Sequence, residues 1–204
     1  MCGILGFAAR AGAAFRPDLA AAVERQRHRG PDDSGIWRDD WMALGFNRLA
    51  IIDLSAKGHQ PMQSPDGRHV IVFNGEIYNF PELRAGLEAQ GETFEGHSDT
   101  EVLLRVFARE GFERCLARLR GMFALAVWDR QSRTLALARD RLGVKPLVYA
   151  ETDAGFAFAS EIATLFRVQP ELSRAPDYAA MDHYLTFQYI PAPLSGFRAI
   201  RKLP

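Results

Sequence analysis

The chain has 204 residues, of which 48% are hydrophobic, so it can bury the core of one large domain or of a domain and a half. Lys and Arg together number 25, as do Asp and Glu, and this balance argues against a nucleic-acid-binding surface, which would carry a basic stripe. The two cysteines are far apart, no apolar run is long enough to cross a membrane, and the N-terminus lacks a signal-peptide pattern, so we expect a soluble, cytoplasmic protein.

The first half of the chain is predicted to contain strands and one short helix. Residues 4–9 have the pattern of a strand, and a short helix follows Pro17. Residues 41–52 hold one or two strands with a polar interruption. Residues 70–73 form a fully apolar strand that is predicted to stop at Asn74.

The second half is predicted to alternate helices with further strands. A helix begins near Pro81, and Ser98 with Glu101 has the spacing of a capping box ahead of another helix. Groups of strands separated by several helices favour a layered α+β domain over regular βαβ repeats. The remaining strands are expected at 122–128, 134–138 and 156–159, and the last helix at 178–187.

Cys2 stands directly behind the initiator methionine, and a small second residue permits removal of that methionine. One residue would then carry both a thiol and a free α-amine. Such an amine titrates at about 7.7–8.0, so it can take the thiol proton near neutral pH, as the N-terminal amine does for a threonine nucleophile. The alternative is an ordinary buried thiol at the start of the first strand.

Cys115 is the competing nucleophile. It lies in a helix-like stretch in which Leu116 and Leu119 complete an apolar face, the pattern of an inert buried thiol. The five histidines are scattered, and neither a zinc-type Cys/His cluster nor a Gly-rich phosphate loop is present. We therefore predict no metal site.

Four polar segments are candidates for a binding site. Arg48 lies between apolar residues, and residues 74–76 (Asn-Gly-Glu) follow an apolar strand. Asp99 lies in the first turn of the capped helix, and residues 29–32 form a loop. Each has a structural alternative: an ion pair for Arg48, a hairpin turn at Asn74, and stabilisation of the helix N-terminus by Asp99.

Together these segments resemble a known family. They occur in the order Cys2–Ile4 (CGI), Arg27–Asp32 (RHRGPD), Arg48–Ile51 (RLAI), Phe73–Asn79 (FNGEIYN) and Ser98–Glu101 (SDTE), with further agreement in Gly121–Ala124, Ala138–Gly143 and Phe158–Ile162. Over practically the whole chain, the sequence resembles the glutaminase domain of glutamine-dependent asparagine synthetase. That domain is a class II, N-terminal nucleophile glutamine amidotransferase. Sugar-phosphate amidotransferases share the N-terminal Cys-Gly-Ile, but the longer runs favour the asparagine synthetase branch.

The resemblance implies an α+β fold of four αββα layers with two antiparallel sheets, and a site for L-glutamine. Cys2 would attack the side-chain amide and form a γ-glutamyl thioester. Asn74 and the Gly75 N–H would form the oxyanion hole. The remaining residues implied for glutamine binding are Arg48 for the α-carboxylate, Asp99 with Glu76 for the α-ammonium, and the backbone of Leu49, Ala50, Ile51 and Ile52. The loop at 29–32 would close over bound glutamine.

The resemblance also implies a domain organisation. Residues 1–187 would be the amidotransferase domain, and 188–204 the start of a linker to an ATP-dependent synthetase domain that this sequence does not contain. We expect no cofactor in the present domain, with ATP and Mg²⁺ needed only by the synthetase domain. A homodimer is possible on the sequence alone. We expect this chain to be an excised domain or a truncated product of a longer enzyme.

Two alternatives to this function remain open at the level of the sequence. The chain could be a non-catalytic ligand-binding domain of the same fold. It could also be the glutaminase half of an amidotransferase that acts on a carboxylate other than aspartate.

Overall fold

The computed structural model describes residues 1–12 and 17–204, in which the strands form two antiparallel sheets. The strands in chain order are β1 (Gly3–Ala9), β2 (Asp33–Arg38), β3 (Met42–Arg48), β4 (Met62–Gln63), β5 (His69–Ile77), β6 (Gly121–Asp129), β7 (Thr134–Arg139), β8 (Val148–Thr152), β9 (Gly155–Ala159) and β10 (Arg201–Lys202). One sheet has the order β10-β8-β9-β1-β3-β2, and the other has the order β4-β5-β6-β7.

The helices lie outside the two sheets. They are α1 (Leu19–Arg25), α2 (Phe80–Glu88), α3 (Asp99–Glu110), α4 (Phe112–Arg118), α5 (Ile162–Val168) and α6 (Tyr178–Phe187). None of the helices in the described part of the chain is long and apolar enough to cross a membrane.

The alternation of side chains along the strands builds the layers, because successive residues point to opposite faces of a sheet. On β5, Ile71 and Phe73 belong to a core shared with α2, α3 and α4, whereas Val72 belongs to the core between the sheets. On β1, Leu5 packs with α1 and α5, and Ile4 faces the inter-sheet core. The four-layer αββα prediction is therefore confirmed.

The structure corrects the prediction that an apolar strand stops at Asn74. β5 continues to Ile77, with Gly75 paired opposite Phe123 in β6, so the alternative of a hairpin turn at Asn74 is wrong. The strands β2, β4, β8 and β10 and the helix α5 were not predicted from the sequence. The helix predicted at 178–187 is present as α6.

The predicted capping box before α3 forms only in part. The Ser98 hydroxyl accepts a hydrogen bond from the Glu101 N–H at 3.2 Å, as the motif requires. The Glu101 carboxylate does not return a bond to Ser98; it accepts from the N–H groups of Glu95 and Gly96, each at 2.9 Å. The motif thus fixes both the helix start and the loop before it.

Residues 188–204, predicted as the start of a linker, include β10, the edge strand of the six-stranded sheet. Arg201 pairs with Tyr149 of β8, and the Leu203 N–H donates to the Leu147 carbonyl at 2.9 Å. Ile200 is fully buried. This stretch is therefore a structural part of the fold, and its role as a connection to another domain stays a prediction.

Candidate active site

Three inward-facing positions at one end of the sandwich carry polar or reactive side chains. Alternate residues of a strand point to the same face. Cys2, Arg48 and Asn74 are each two positions from a residue that faces the inter-sheet core, namely Ile4, Phe46 and Val72 respectively. All three residues line one cavity of about 150 Å³. The end of the inter-sheet core is thus a cavity lined by both polar and apolar residues, and it contains every residue that the sequence predicted for catalysis or glutamine binding.

Cys2 lies just before the first residue of β1, with its thiol against the backbone of Leu49. The Leu49 N–H donates to Sγ at 3.4 Å, and Sγ lies 3.6 Å from the Leu49 carbonyl oxygen. Burial raises the pKa of the Cys2 thiol. The Leu49 N–H, the N-terminal ammonium and the Arg48 guanidinium offset part of that rise because each stabilises the thiolate.

The Asn74 side chain is 1% exposed. Its Nδ2 has no hydrogen-bond partner among the residues that the structure describes. A buried amide N–H₂ without an acceptor is costly, so a ligand that supplies an acceptor oxygen there would gain a well-oriented donor.

The Gly75 N–H is directed into the same cavity. At the free edge of β5, the Phe73 N–H donates to the Gln60 side chain at 2.7 Å, and the Ile77 N–H donates to Asp99 at 3.0 Å. Alternate N–H groups of a strand point to the same side, so the Gly75 N–H lies between these two on this edge. In the described fold, β4 pairs only with the start of β5 and leaves this part of the edge uncovered.

Glycine is required at position 75 by the approach of β6. A Cβ atom there would collide with the Met122 carbonyl oxygen and crowd the Phe123 backbone. The close approach holds the Asn74 amide and the Gly75 N–H in a fixed relation to one another.

Arg48 is buried and held by the loop that follows it. Its guanidinium donates to the carbonyl of Ser55 at 2.8 Å and to the carbonyl of Asp53. The guanidinium also packs against Gly58, so that a Cβ at this position would displace it. Within the described residues Arg48 is bonded to backbone carbonyls and forms no ion pair with a carboxylate, which argues against the structural ion-pair alternative.

Asp99 combines two roles that the sequence presented as alternatives. It is the first residue of α3, and its carboxylate accepts the Ile77 N–H while lining the cavity. Burial raises the pKa of Asp99 to about 6, and the negative charge of Glu76 adds to the rise. A bound cation next to Asp99 would lower that pKa again.

Several residues that line the cavity were not predicted from the sequence. Leu49 to Ile52 line it as expected, and the additional polar side chains are those of Asp53, Gln60, Ser98, Thr100 and Lys145. Gln60 is informative because its side chain accepts from the Phe73 N–H and donates to Thr100 at 3.2 Å. A single glutamine in a loop gives no pattern from which this bridging role could be inferred.

The segment 29–32 does not line the cavity, but it contacts residues that do. The Asp32 carboxylate accepts the Ala50 N–H at 2.9 Å, and Arg29 donates through Nε to the Cys2 carbonyl at 3.0 Å. Closure of this segment over a ligand stays a prediction. Through these hydrogen bonds the segment contacts Cys2 and Ala50, two residues that line the cavity.

Cys115 lies in α4 within the core of the helical layer. Burial raises the pKa of its thiol to about 12, and Glu110 adds to that rise. Among the described residues, no group of His, Cys, Asp and Glu side chains is arranged to hold a metal ion.

A family model described as a glutamine amidotransferase domain matches residues 1–204. The chain belongs to this family. This confirms the identification that the sequence motifs suggested, and it assigns the chemistry of the domain to glutamine.

Curated relatives of this amidotransferase domain are longer proteins. A Mycobacterium tuberculosis protein with a provisional name as a glutamine-hydrolysing asparagine synthetase is 42% identical over 227 residues, covering 100% of this chain and 34% of the relative. Glutamine-hydrolysing asparagine synthetase 1 of Bacillus subtilis is 40% identical over 207 residues, covering 100% of this chain and 32% of the relative. The chain thus spans about a third of the length of these relatives.

A solved structure shows the same fold. Glutamine phosphoribosylpyrophosphate amidotransferase of Bacillus subtilis, complexed with ADP and GMP, aligns with a TM-score of 0.68 over 82% of this chain and 43% of that chain. The sequence identity is 22%, so this likeness supports the N-terminal nucleophile fold alone.

Proposed function

We propose that this amidotransferase domain hydrolyses L-glutamine through a thioester on Cys2. The Cys2 sulfur attacks the side-chain amide carbon, the C–N bond breaks, and ammonia leaves with a proton. Water then attacks the γ-glutamyl thioester, and glutamate departs as the thiol is restored. The observation that carries the proposal is the convergence of the Cys2 thiol, the unpartnered Asn74 amide and the Gly75 N–H on one cavity.

Asn74 and Gly75 serve the charge that develops on the amide oxygen. Two donors fixed before the reaction stabilise such an oxyanion without reorganisation, and removal of one donor typically costs about 10²–10³ in turnover. The β5–β6 pairing fixes both donors, because Gly75 lies against the Met122 carbonyl.

Arg48 and Asp99 set the orientation of glutamine. The Arg48 guanidinium, buried and held at the base of the cavity, is suited to a carboxylate because its planar fork can donate two parallel hydrogen bonds. Asp99, beside the free edge of β5, attracts the α-ammonium, and Glu76 adds negative charge at that end. Glutamine held at these two points presents its side chain to Cys2.

The base in this mechanism is the α-amine of Cys2, which exists only after Met1 is removed. With Met1 present, the α-amine is one residue further from the thiol along the chain. The thiol also remains protonated at neutral pH, since burial raises its pKa. Removal of Met1 is therefore part of the proposal.

Glutaminase activity tests this function directly. Incubation of the domain with glutamine, after intact mass has shown the loss of Met1, is expected to release glutamate and ammonia in equal amounts. Rapid acid quenching followed by peptide mass spectrometry should find the γ-glutamyl adduct on Cys2. A folded sample without Met1 that yields neither product nor adduct would exclude the function and favour a non-catalytic ligand-binding domain.

The ammonia is proposed to serve an asparagine synthetase-type amidation elsewhere in a longer cytoplasmic protein. The support is the identity of 40% to an asparagine synthetase of which this chain covers 32%. ATP and Mg²⁺ would act in that other part. An acceptor carboxylate other than aspartate is the alternative, and assays of a full-length relative with aspartate and with other carboxylic acids would distinguish the two.

The surface of α6 supports contact with another part of such a protein. The helix and the residue pair after it expose large apolar side chains, namely Tyr178, Met181, Tyr184, Leu185, Phe187 and Tyr189. The end of the chain lies beside this helix, since Lys202 donates to the Ile190 carbonyl and Arg201 pairs with Asp177 at 3.4 Å. We propose that the synthetase portion of the longer protein covers this face.

Sedimentation velocity tests this placement. The domain alone is expected to remain monomeric as its concentration rises. A dimer that disappears in the Leu185→Glu variant would instead assign this face to a homodimer interface.

A further inference from the structure

Cys2 is not held by the sheet that follows it. The pairing of β1 with β3 begins at Gly3 opposite Asn47, so the proposed nucleophile lies one residue outside the ladder. After removal of Met1 it is also the chain terminus, and terminal residues are poorly ordered unless they are tied down. Other contacts must therefore fix the direction of the thiol and of the α-amine.

Arg29 supplies one such contact. Its Nε donates to the Cys2 carbonyl at 3.0 Å, which restricts rotation of the Cys2 backbone. The Arg29 side chain is only 9% exposed, so its charge needs compensation nearby. Its second terminal nitrogen, Nη2, has no hydrogen-bond partner in the described part of the chain.

Glu161 provides the compensating charge. Its Oε1 accepts from Arg29 Nη1 at 3.1 Å, and it lies 2.8 Å from the His28 ring Nε2. Burial raises the pKa of Glu161, but the bonds from His28 and Arg29 outweigh this effect and hold the pKa below its ordinary value, so the group is an anion at neutral pH. Glu161 does not line the cavity and is therefore not in position to touch glutamine.

The residue before Glu161 fixes the next point along β1. The Ser160 N–H donates to the Ile4 carbonyl at 2.8 Å, and the Ile4 N–H donates to the Ser160 hydroxyl at 3.0 Å. Two neighbouring residues after β9 are thus connected to the start of the chain. Ser160 bonds directly to Ile4, and Glu161 is connected to Cys2 through Arg29.

We propose that Glu161 is a positioning residue for the Cys2 nucleophile, acting through Arg29. This inference rests on the proposed glutaminase function, and it adds a residue outside the glutamine cavity to that reaction. Loss of the Glu161 charge releases Arg29 from its orientation, and the Cys2 carbonyl loses its donor. The thiol and the amine then sample directions in which they do not face the amide carbon, and a misplacement of about 1 Å can cost about 10²-fold in rate.

The Glu161→Gln variant tests the proposal, because it keeps the shape of the side chain and removes its charge. We expect kcat for glutamine hydrolysis to fall roughly 10- to 100-fold, while KM changes by less than about twofold because Arg48 and Asp99 are untouched. His28→Ala is the matched control: it removes the other contact with the same oxygen, leaves the Arg29–Glu161 pair intact, and should change kcat by less than about threefold.

A double-mutant cycle shows whether the effect passes through Arg29. If it does, Glu161→Gln added to Arg29→Met causes no further loss of kcat, because the pair acts as one unit. Losses that multiply, an unchanged kcat in Glu161→Gln, or a parallel rise of KM would overturn the proposal. If Glu161→Gln does not fold, Glu161→Asp replaces it in the same cycle. This variant keeps the charge, but its side chain is too short to hold Arg29 in the same way.

Alkylation of Cys2 by iodoacetamide separates this inference from the proposed function. The rate, followed by peptide mass spectrometry, depends on the position and ionisation of the thiol and not on glutamine. It should change several-fold in Glu161→Gln and remain unchanged in His28→Ala. If the parent domain does not hydrolyse glutamine, the glutaminase proposal fails while the alkylation rates still decide the positioning role; equal rates in parent and Glu161→Gln would refute it.

Discussion

The two cysteines of this domain lie in opposite kinds of environment. Cys2 is at the polar end of the inter-sheet core, where the Leu49 N–H reaches its sulfur and the Arg48 guanidinium is nearby. Cys115 is 1% exposed in the helical layer and packs among apolar side chains such as Leu119. Burial raises the pKa of both thiols, so burial alone does not distinguish a nucleophile. A nearby cation does not distinguish them either, since Arg118 acts to lower the pKa of Cys115 as Arg48 acts to lower that of Cys2. The difference lies in the Leu49 N–H that donates to the Cys2 sulfur and in the cavity that Cys2 lines.

Replacement of each cysteine should give the largest contrast. Cys2→Ala is expected to abolish glutamine hydrolysis, because no other group in the cavity can form the thioester. Cys115→Ala should leave kcat within about twofold and lower only the thermal stability, by roughly 1 kcal/mol for a small buried change. Ammonia release by a coupled assay measures the first effect and calorimetry the second. Retained activity in Cys2→Ala would transfer the role to another residue.

Asn74→Ala should have the next largest effect, since it removes one donor to the oxyanion while the thiol and the substrate contacts remain. We expect kcat to fall about 10²- to 10³-fold with a small change in KM. Steady-state kinetics measure this, and thermal unfolding controls for the cavity that the substitution creates. A rise in KM at constant kcat would show that Asn74 binds the ground state and not the transition state.

Much of this site was predictable from the sequence because its residues occur in motifs that have a local cause. Ser98 and Glu101 predicted the start of α3 and hence the place of Asp99. Arg48 was identified as a candidate because it lies between apolar residues of a strand, and Asn74 because it follows a fully apolar strand. The continuation of β5 beyond Asn74 was not predictable in this way, since an Asn-Gly pair favours a turn locally and only pairing with β6 overrides that preference.

Residues that act through tertiary contacts were missed for a related reason. Gln60 and Lys145 reach the cavity from loops whose sequences give no periodic signal. Glu161 lies in a run that resembles the family, yet its partner Arg29 is 132 positions away in the chain. The link between them arises only when β9 and β1 are paired in the sheet.

Arg48 offers a smaller effect that concerns the substrate and not the nucleophile. Arg48→Ala removes charge-assisted hydrogen bonding to the α-carboxylate; a net loss of about 1.5–3 kcal/mol would raise KM roughly 10- to 100-fold. Arg10→Ala, at an exposed pair with Glu151, is the matched control and should leave KM unchanged. Unchanged saturation behaviour in Arg48→Ala would mean that the guanidinium only supports the loop at Asp53 and Ser55.

The pH dependence of glutamine binding isolates Asp99. Its pKa of about 6 means that the carboxylate is charged above that pH and increasingly neutral below it. An ionised Asp99 is needed for the α-ammonium, so affinity should be constant above neutrality and fall as the pH decreases through 6, by about tenfold one pH unit below the pKa. The Cys2→Ala variant removes turnover, so calorimetric Kd values from about pH 5 to 7 report glutamine binding without hydrolysis. Adding Asp99→Asn should weaken binding at high pH and abolish the dependence; a dependence that persists in that double variant would assign the titration to Glu76.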